Sequence, residues 1–310
     1  METTTSVKDA LKERDGLHIW WRMLRPHTLT ASFVPVFVGS MAAWTEGKLH
    51  VFLFIAMLLA SILIQAATNM FNEYYDFVRG LDTDESVGIS GTIVRDGLAP
   101  KTVLRTALIF YSISILLGVF ICVESSWWIA VVGLVCMLFG YLYTGGPYPI
   151  AYTPFGELFA GFFMGTVIIG ISYFIQTSEV NARIVLISIP VAFLIGSILL
   201  ANNIRDLDGD RENGRKTIAI LLGRKNAIGF LGLLFAAAYL WTIVLVIVHI
   251  LPLWSLIVIF SAPKAYKAYS NFRGKTKPLE MFPAMIATGK TNSMFGILLG
   301  LSLLIDHFIG

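Results

Sequence analysis

Long apolar runs separated by short polar stretches set the rhythm of this chain. Nine runs stand out, at roughly 22–44, 50–79, 101–123, 126–144, 155–176, 183–204, 226–250, 252–270 and 290–309, each long enough to cross a ~30 Å hydrocarbon core as an α-helix. The strands of a membrane barrel would alternate apolar and polar residues with period 2. A run such as Ile184 to Leu200 is apolar on every face, and in lipid a helix satisfies its backbone within the run itself. The pattern therefore predicts an all-α integral membrane protein, with nine transmembrane helices around a central cavity. It is read as one domain over residues 1–310, with a polar segment at 1–20 and the bundle at 21–310. The polar start holds no apolar core followed by a small-residue cleavage site, so no signal peptide is expected.

Composition agrees. Of 310 residues 56% are hydrophobic and 14% charged, against roughly 25% charged in soluble domains. The positions of the charges add orientation. Taking the N-terminus and every second loop as one side, that side holds all 23 Lys and Arg except Lys48 and Arg183. The positive-inside rule then places the N-terminus in the cytoplasm and the C-terminus outside. No basic block suggests nucleic acid. Cys122 and Cys136 lie in apolar runs without metal-ligand spacing, and His18, His27, His50, His249 and His307 are scattered. The pairs Gly161/Gly165 and Gly296/Gly300 have the four-residue spacing that lets helix backbones approach closely.

Two polar stretches stand apart from the solvated loops. Asn72-Glu73-Tyr74-Tyr75-Asp76 leads through Gly80 to Asp82 at the end of the second run, and Asn202-Asn203-Ile204-Arg205-Asp206 leads to Asp210 at the end of the sixth. Asn72 to Asn202 and Asp76 to Asp206 are both 130 residues, an interval of four runs, which suggests two related four-helix units and one added helix. Residues four apart share a helix face, so Asn72 faces with Asp76 and Asp206 with Asp210. Gly80 can break the helix and let Asp82 turn back; Gly209 can end the other helix. Both stretches fall on the cytoplasmic side. Oxygen ligands without histidine favour Mg²⁺, which bridges protein carboxylates to substrate phosphates. The expected metal ligands are Asn72, Asp76, Asp82, Asp206 and Asp210. A diphosphate held between the clusters would meet the cations Arg79, Arg205, Lys216 and Arg25. A cation-coupled transporter is the alternative of a different class, although its acids would more often lie near the membrane midplane.

These motifs resemble the UbiA superfamily of intramembrane aromatic prenyltransferases. The resemblance rests on both acidic stretches together with Arg25-Pro26-His27-Thr28-Leu29-Thr30, Gly80-Leu81-Asp82-Thr83, Tyr143-Thr144-Gly145-Gly146-Pro147 and Gly214-Arg215-Lys216-Thr217. The same pieces are similar to the menaquinone-pathway branch of that superfamily. The resemblance implies Mg²⁺-dependent transfer of a polyprenyl group from its diphosphate to 1,4-dihydroxy-2-naphthoate, with loss of diphosphate and CO₂. 4-Hydroxybenzoate or haem remains the alternative acceptor. Catalytic roles fall on Asp76, Asp206, Asp210 and Tyr143. Tyr74, Tyr75 and Tyr143 offer faces to an allylic cation, and Arg22 or Arg25 a partner for the acceptor carboxylate. The chain departs from the family in two places: Tyr148 stands where members often carry a basic residue, and Arg95 is the next arginine after Ser90-Gly91-Thr92.

Overall fold

The computed structural model describes residues 16–81 and 91–309, which are helical with no strand among them. In chain order the helices are α1 (Gly16–Met23), α2 (Pro26–Trp44), α3 (Val51–Val78), α4 (Thr92–Asp96), α5 (Pro100–Glu124), α6 (Trp128–Leu142), α7 (Gly156–Thr177), α8 (Ala182–Arg205), α9 (Leu207–Glu212), α10 (Ile218–Leu222) and α11 (Arg224–Ile247). Then α12 starts as a 3₁₀ helix, Leu253–Ser261, and continues as Ala262–Phe272, and α13 is Pro278–Ile309. Each predicted apolar run after the first falls on one of these. Six of them, α3, α5, α7, α8, α11 and α13, are long and apolar enough to cross a membrane.

Three boundaries differ from the apolar pattern. The first run is two helices, because Pro26 opens α2 and disfavours the right-handed helical region at Arg25; Arg25 takes φ 51° instead. α13 starts at Pro278 rather than near residue 290. Its early polar residues Thr288, Thr291 and Asn292 are buried, with Asn292 donating to the carbonyl and hydroxyl oxygens of Thr30. Finally, Gly209 lies inside α9, and the break after α8 falls at Asp206.

The small residues set close contacts. A Cβ on Gly161 would lie 2.7 Å from the Ala192 carbonyl oxygen, and one on Gly165 2.6 Å from the Ala192 Cα, so α7 touches α8 backbone to backbone. Gly161–Val167 is a π-helical stretch at that crossing. On the other side Gly296 meets Val34 and Gly300 meets Phe37, which seats α13 on α2. The helix pairing repeats along the chain: α3 lies along α5, and α8 along α11. The packing does not repeat. In the most apolar window of α8 67% of residues are buried, against 22% in that of α5. One large core joins α2, α8, α11, α12 and α13, while α3, α5 and α6 border a cavity.

Candidate active site

The end of α3 builds one side of the site. Gly80, at φ 71°, stops the helix: its N–H donates to the Phe77 carbonyl at 3.0 Å, and that of Leu81 to the Asp76 carbonyl at 2.9 Å. This is a Schellman stop, which needs a residue free to adopt positive φ. Asp76 is thereby fixed in the last full turn. Glu73, on another face, is buried and accepts from Thr92 N–H, Thr92 Oγ1 and the Ile93 N–H at the start of α4. The same segment carries Arg95, buried and with its charge disfavoured by that burial, and Asp96, paired with Arg22 at 3.2 Å.

The end of α8 builds the other side. Asp206 caps α8, and the Asp210 N–H donates to its carbonyl at 2.9 Å, so Asn202, Asp206 and Asp210 follow each other turn by turn across the break. α9 ends in a second Schellman stop: the Gly214 N–H (φ 75°) donates to the Arg211 carbonyl at 3.1 Å, and that of Arg215 to the Asp210 carbonyl at 2.9 Å. The stop turns Arg215 back over the site. Its Nη1 donates to Asp210 Oδ1 at 2.9 Å and its Nη2 to Asp76 Oδ1 at 2.8 Å. One guanidinium therefore joins the two acidic stretches.

The loop after α6 closes over this junction. The Tyr152 ring lies 4.9 Å from the Arg215 guanidinium and 5.7 Å from that of Arg79. The Tyr152 carbonyl accepts from the Lys216 N–H at 2.9 Å. Arg79 donates to the Thr144 and Gly146 carbonyls, the latter at 2.9 Å. Burial opposes the Arg215 charge, but Asp76 and Asp210 outweigh it and hold the guanidinium above its usual pKa. Burial, with the charges of Asp206 and Asp76, pushes the Asp210 carboxyl up to about 7 against the pull of Arg215.

Beneath the junction lies a cavity of about 390 Å³, lined at its polar end by Arg25, Asn72, Asn202 and Tyr143. It runs from Asn72 to Met57 along α3, about 22 Å at 1.5 Å per residue. Below the polar end its walls are mostly apolar, including Phe139, Phe159, Phe163, Ile198 and Leu199. Ile115, Val119, Trp127 and Leu134 line it and are also exposed on the outside of α5 and α6, so it reaches the lateral surface between them.

The structure thus brings Asp76, Asp206, Asp210, Asn72, Tyr143 and Arg25 to one end of the bundle. Asp82 lies outside the described residues. Arg205 turns to its neighbour Asp206, with Nε donating at 2.6 Å. Tyr75 bonds the Tyr141 hydroxyl at 2.7 Å and stacks near Arg79, beside the cavity wall rather than on it. Lys216 is exposed, with no side-chain ion pair among the described residues, and Tyr148 is exposed as well. Asp208 points away and pairs with Arg224 at 2.6 Å. The sequence motifs contain Arg215 and Glu73 without giving either a role, and they do not contain Tyr152 or Glu157, the last buried and accepting from Asn203 at 2.8 Å. The Gly214 signal that turns Arg215 inward was present but resembled any loop glycine.

A hard divalent cation fits the donor set. Three carboxylates, Asp76, Asp206 and Asp210, feel one another's charge, the donors are oxygens, and the buried Asp210 Oδ2 has no hydrogen-bond partner among the described residues. No three acidic, His or Cys side chains among those residues already enclose an ion position; the Arg215 guanidinium lies between Asp76 and Asp210.

Comparison with known proteins bears on this geometry. The profile of the UbiA prenyltransferase family matches residues 32–287. The 1,4-dihydroxy-2-naphthoate octaprenyltransferase of Bacillus subtilis (strain 168) is 55% identical over 297 residues, 96% of this chain and 95% of that protein. A UbiA homolog from Archaeoglobus fulgidus, solved bound to GPP and Mg²⁺, has the same fold at TM-score 0.64 and 18% identity, over 91% of this chain and 99% of that one. The apo structure of a UbiA homolog from Aeropyrum pernix K1 gives TM-score 0.68 at 16% identity, over 91% and 98%.

Proposed function

We propose the following activity for this chain, which belongs to the UbiA prenyltransferase family: it transfers a polyprenyl group from an allylic polyprenyl diphosphate to 1,4-dihydroxy-2-naphthoate, releasing diphosphate and CO₂ and giving demethylmenaquinol for menaquinone synthesis. The observation that carries it is the 55% identity, over nearly the whole of both chains, to a 1,4-dihydroxy-2-naphthoate octaprenyltransferase. The geometry supports it. A paired acidic cluster at the head of an apolar cavity fits a diphosphate with a long lipid tail.

In this reading the protein is a multi-pass membrane enzyme with nine spans. The N-terminus and the acidic cluster face the cytoplasm and the C-terminus lies outside. Asp76, Asp82, Asp206 and Asp210, with Asn72, hold Mg²⁺, which supplies positive charge to the leaving diphosphate. Arg215 and Arg25 add fixed cations at the cavity head. The prenyl tail enters from the bilayer between α5 and α6 and lies along α3. The apolar walls keep water from an allylic cation, and Tyr143 presents an aromatic ring to it.

The test uses washed membranes containing the protein, polyprenyl diphosphate and either 1,4-dihydroxy-2-naphthoate or 4-hydroxybenzoate, with Mg²⁺ or with EDTA. Prenylated naphthoate that appears with Mg²⁺ and vanishes with EDTA is expected. Product from 4-hydroxybenzoate alone would reassign the acceptor, and absence of any product would overturn the reading.

A further inference from the structure

Arg215 is the contact through which the two acidic stretches meet, and its side chain is 13% exposed. Two buried atoms beside that contact have no hydrogen-bond partner among the described residues: Asp210 Oδ2, an acceptor, and Arg215 Nε, a donor. The first calls for a cation and the second for an anion. A metal alone serves only the first, and an anion alone only the second.

We propose that Arg215 is a resident counter-ion of this site: it holds Asp76 and Asp210 together when no metal is present, competes with a lone metal for their oxygens, and turns to the diphosphate when metal and diphosphate bind together. This rests on the metal-diphosphate reading above. A metal entering alone must displace two charge-assisted hydrogen bonds and leave a guanidinium buried without an anion, which is costly. Diphosphate supplies the missing anion. Metal and diphosphate therefore bind cooperatively, and the cooperativity resides in Arg215, in addition to any direct contact between the two ligands.

The experiment measures Mn²⁺, as a stand-in for Mg²⁺, bound to the full chain in detergent by its electron paramagnetic resonance signal. It is run with and without inorganic diphosphate, with protein-free mixtures as the baseline. In the unmodified protein diphosphate strengthens protein-bound Mn²⁺. In Arg215→Gln, Mn²⁺ alone binds about tenfold tighter, an effect of one lost competing contact, and the gain from diphosphate shrinks by a similar factor. Arg215→Lys, whose single ammonium does not span both carboxylates, moves both values in the same direction by less. Mn²⁺ binding to both variants no tighter than to the unmodified protein overturns the proposal and leaves the prenyltransferase reading standing. No Mn²⁺ binding to the unmodified protein, with or without diphosphate, overturns both.

Discussion

The two acidic stretches share a sequence pattern and a stop signal, yet the two alignments disagree by one turn. By motif, Asp76 corresponds to Asp206, 130 residues on. By the Schellman stops, Asp76 corresponds to Asp210: each accepts, through its carbonyl, the N–H of the residue just past the stopping glycine. The second stretch has one extra turn, inserted where α8 breaks at Asp206. The residue after the stop is Leu81 in the first half and Arg215 in the second. The repeat thus makes one asymmetric site rather than two equal ones. Among the described residues the second half supplies Asp206, Asp210 and the cation Arg215, which ties Asp210 to Asp76 of the first.

The neighbouring positions diverge in the same sense. Asn72 and Asn202 both line the cavity. Glu73 binds the start of α4, while its counterpart Asn203 donates to Glu157. Tyr75 pairs with Tyr141, while Arg205 pairs with Asp206. Beside the acidic motif the second half pairs Asp206 with Arg205 and Asp210 with Arg215, while the first anchors the buried Glu73 on the Thr92 N–H and hydroxyl and the Ile93 N–H.

The largest test of the asymmetry is Asp76→Asn against Asp206→Asn. Both acids sit at the head of the cavity, and losing one charge there should cut turnover about 10²–10³-fold or more, the scale of removing one group that stabilises developing charge. Prenyl transfer measured in membranes, with protein level checked by immunoblot, decides it. If Asp206→Asn retains near-normal turnover while Asp76→Asn does not, the stop-based alignment describes the working site and Asp210 is the true partner of Asp76.

Next comes Glu73→Ala. It leaves the Thr92 and Ile93 donors buried without an acceptor, at about 1–3 kcal/mol each. Thermal unfolding in detergent should shift down by about 5 °C or more, and Glu73→Gln, which keeps an acceptor oxygen, should recover part of that. Asn203→Ala should fall less, since it strands only the Glu157 carboxyl. Equal losses would mean that the two anchors do the same job.

Much of this was legible in the sequence, and the failures have physical causes. Apolar runs located the helices because lipid demands long apolar segments. They missed the start of α13 because Pro283, Gly289 and Lys290 interrupt the apolar pattern, whereas in the structure Pro283 lies inside the helix and Gly289 packs against His27 of α2. The spacing of Asn72/Asp76 and Asp206/Asp210 located the acids. It favours Arg205 and Lys216 over Arg215, because the turn that brings Arg215 inward depends on one positive-φ glycine, Gly214. Lys216 is one of the four cations the sequence suggests, with Arg79, Arg205 and Arg25, and the structure places its neighbour Arg215 at the junction.

The acid–base state of Asp210 gives a smaller test. Its carboxyl is pushed up to about 7, first by burial and then by Asp206 and Asp76. The protonated acid is a poor metal ligand, so divalent-ion affinity should rise with pH through about 7 and level off above it, by up to about tenfold per unit below that point. Mn²⁺ titration between mildly acidic and mildly alkaline pH checks the sign. Asp210→Asn should flatten the profile near neutrality. A flat profile in the unmodified protein would remove Asp210 from the ligand set and return the role to Asp206.

The smallest effect expected is at Tyr152, which no acidic motif marks. Its ring lies between Arg79, from the first half, and Arg215, from the second, and its carbonyl holds the Lys216 N–H whatever its side chain. Tyr152→Leu therefore keeps the loop tied but removes two cation–π contacts, worth about 0.5–1 kcal/mol each at partly exposed sites. Both guanidiniums keep their hydrogen-bond partners, so the fold should hold and the loss should appear in placement of the cations. The expected result is a several-fold rise in KM for the polyprenyl diphosphate with kcat changed less, measured in the same membrane assay. Tyr152→Phe, which keeps the ring, should behave as the unmodified protein. An equal fall in kcat for both variants would mean that the hydroxyl, not the ring, carries the role, and that Tyr152 belongs to the chemistry rather than to the seam between the halves.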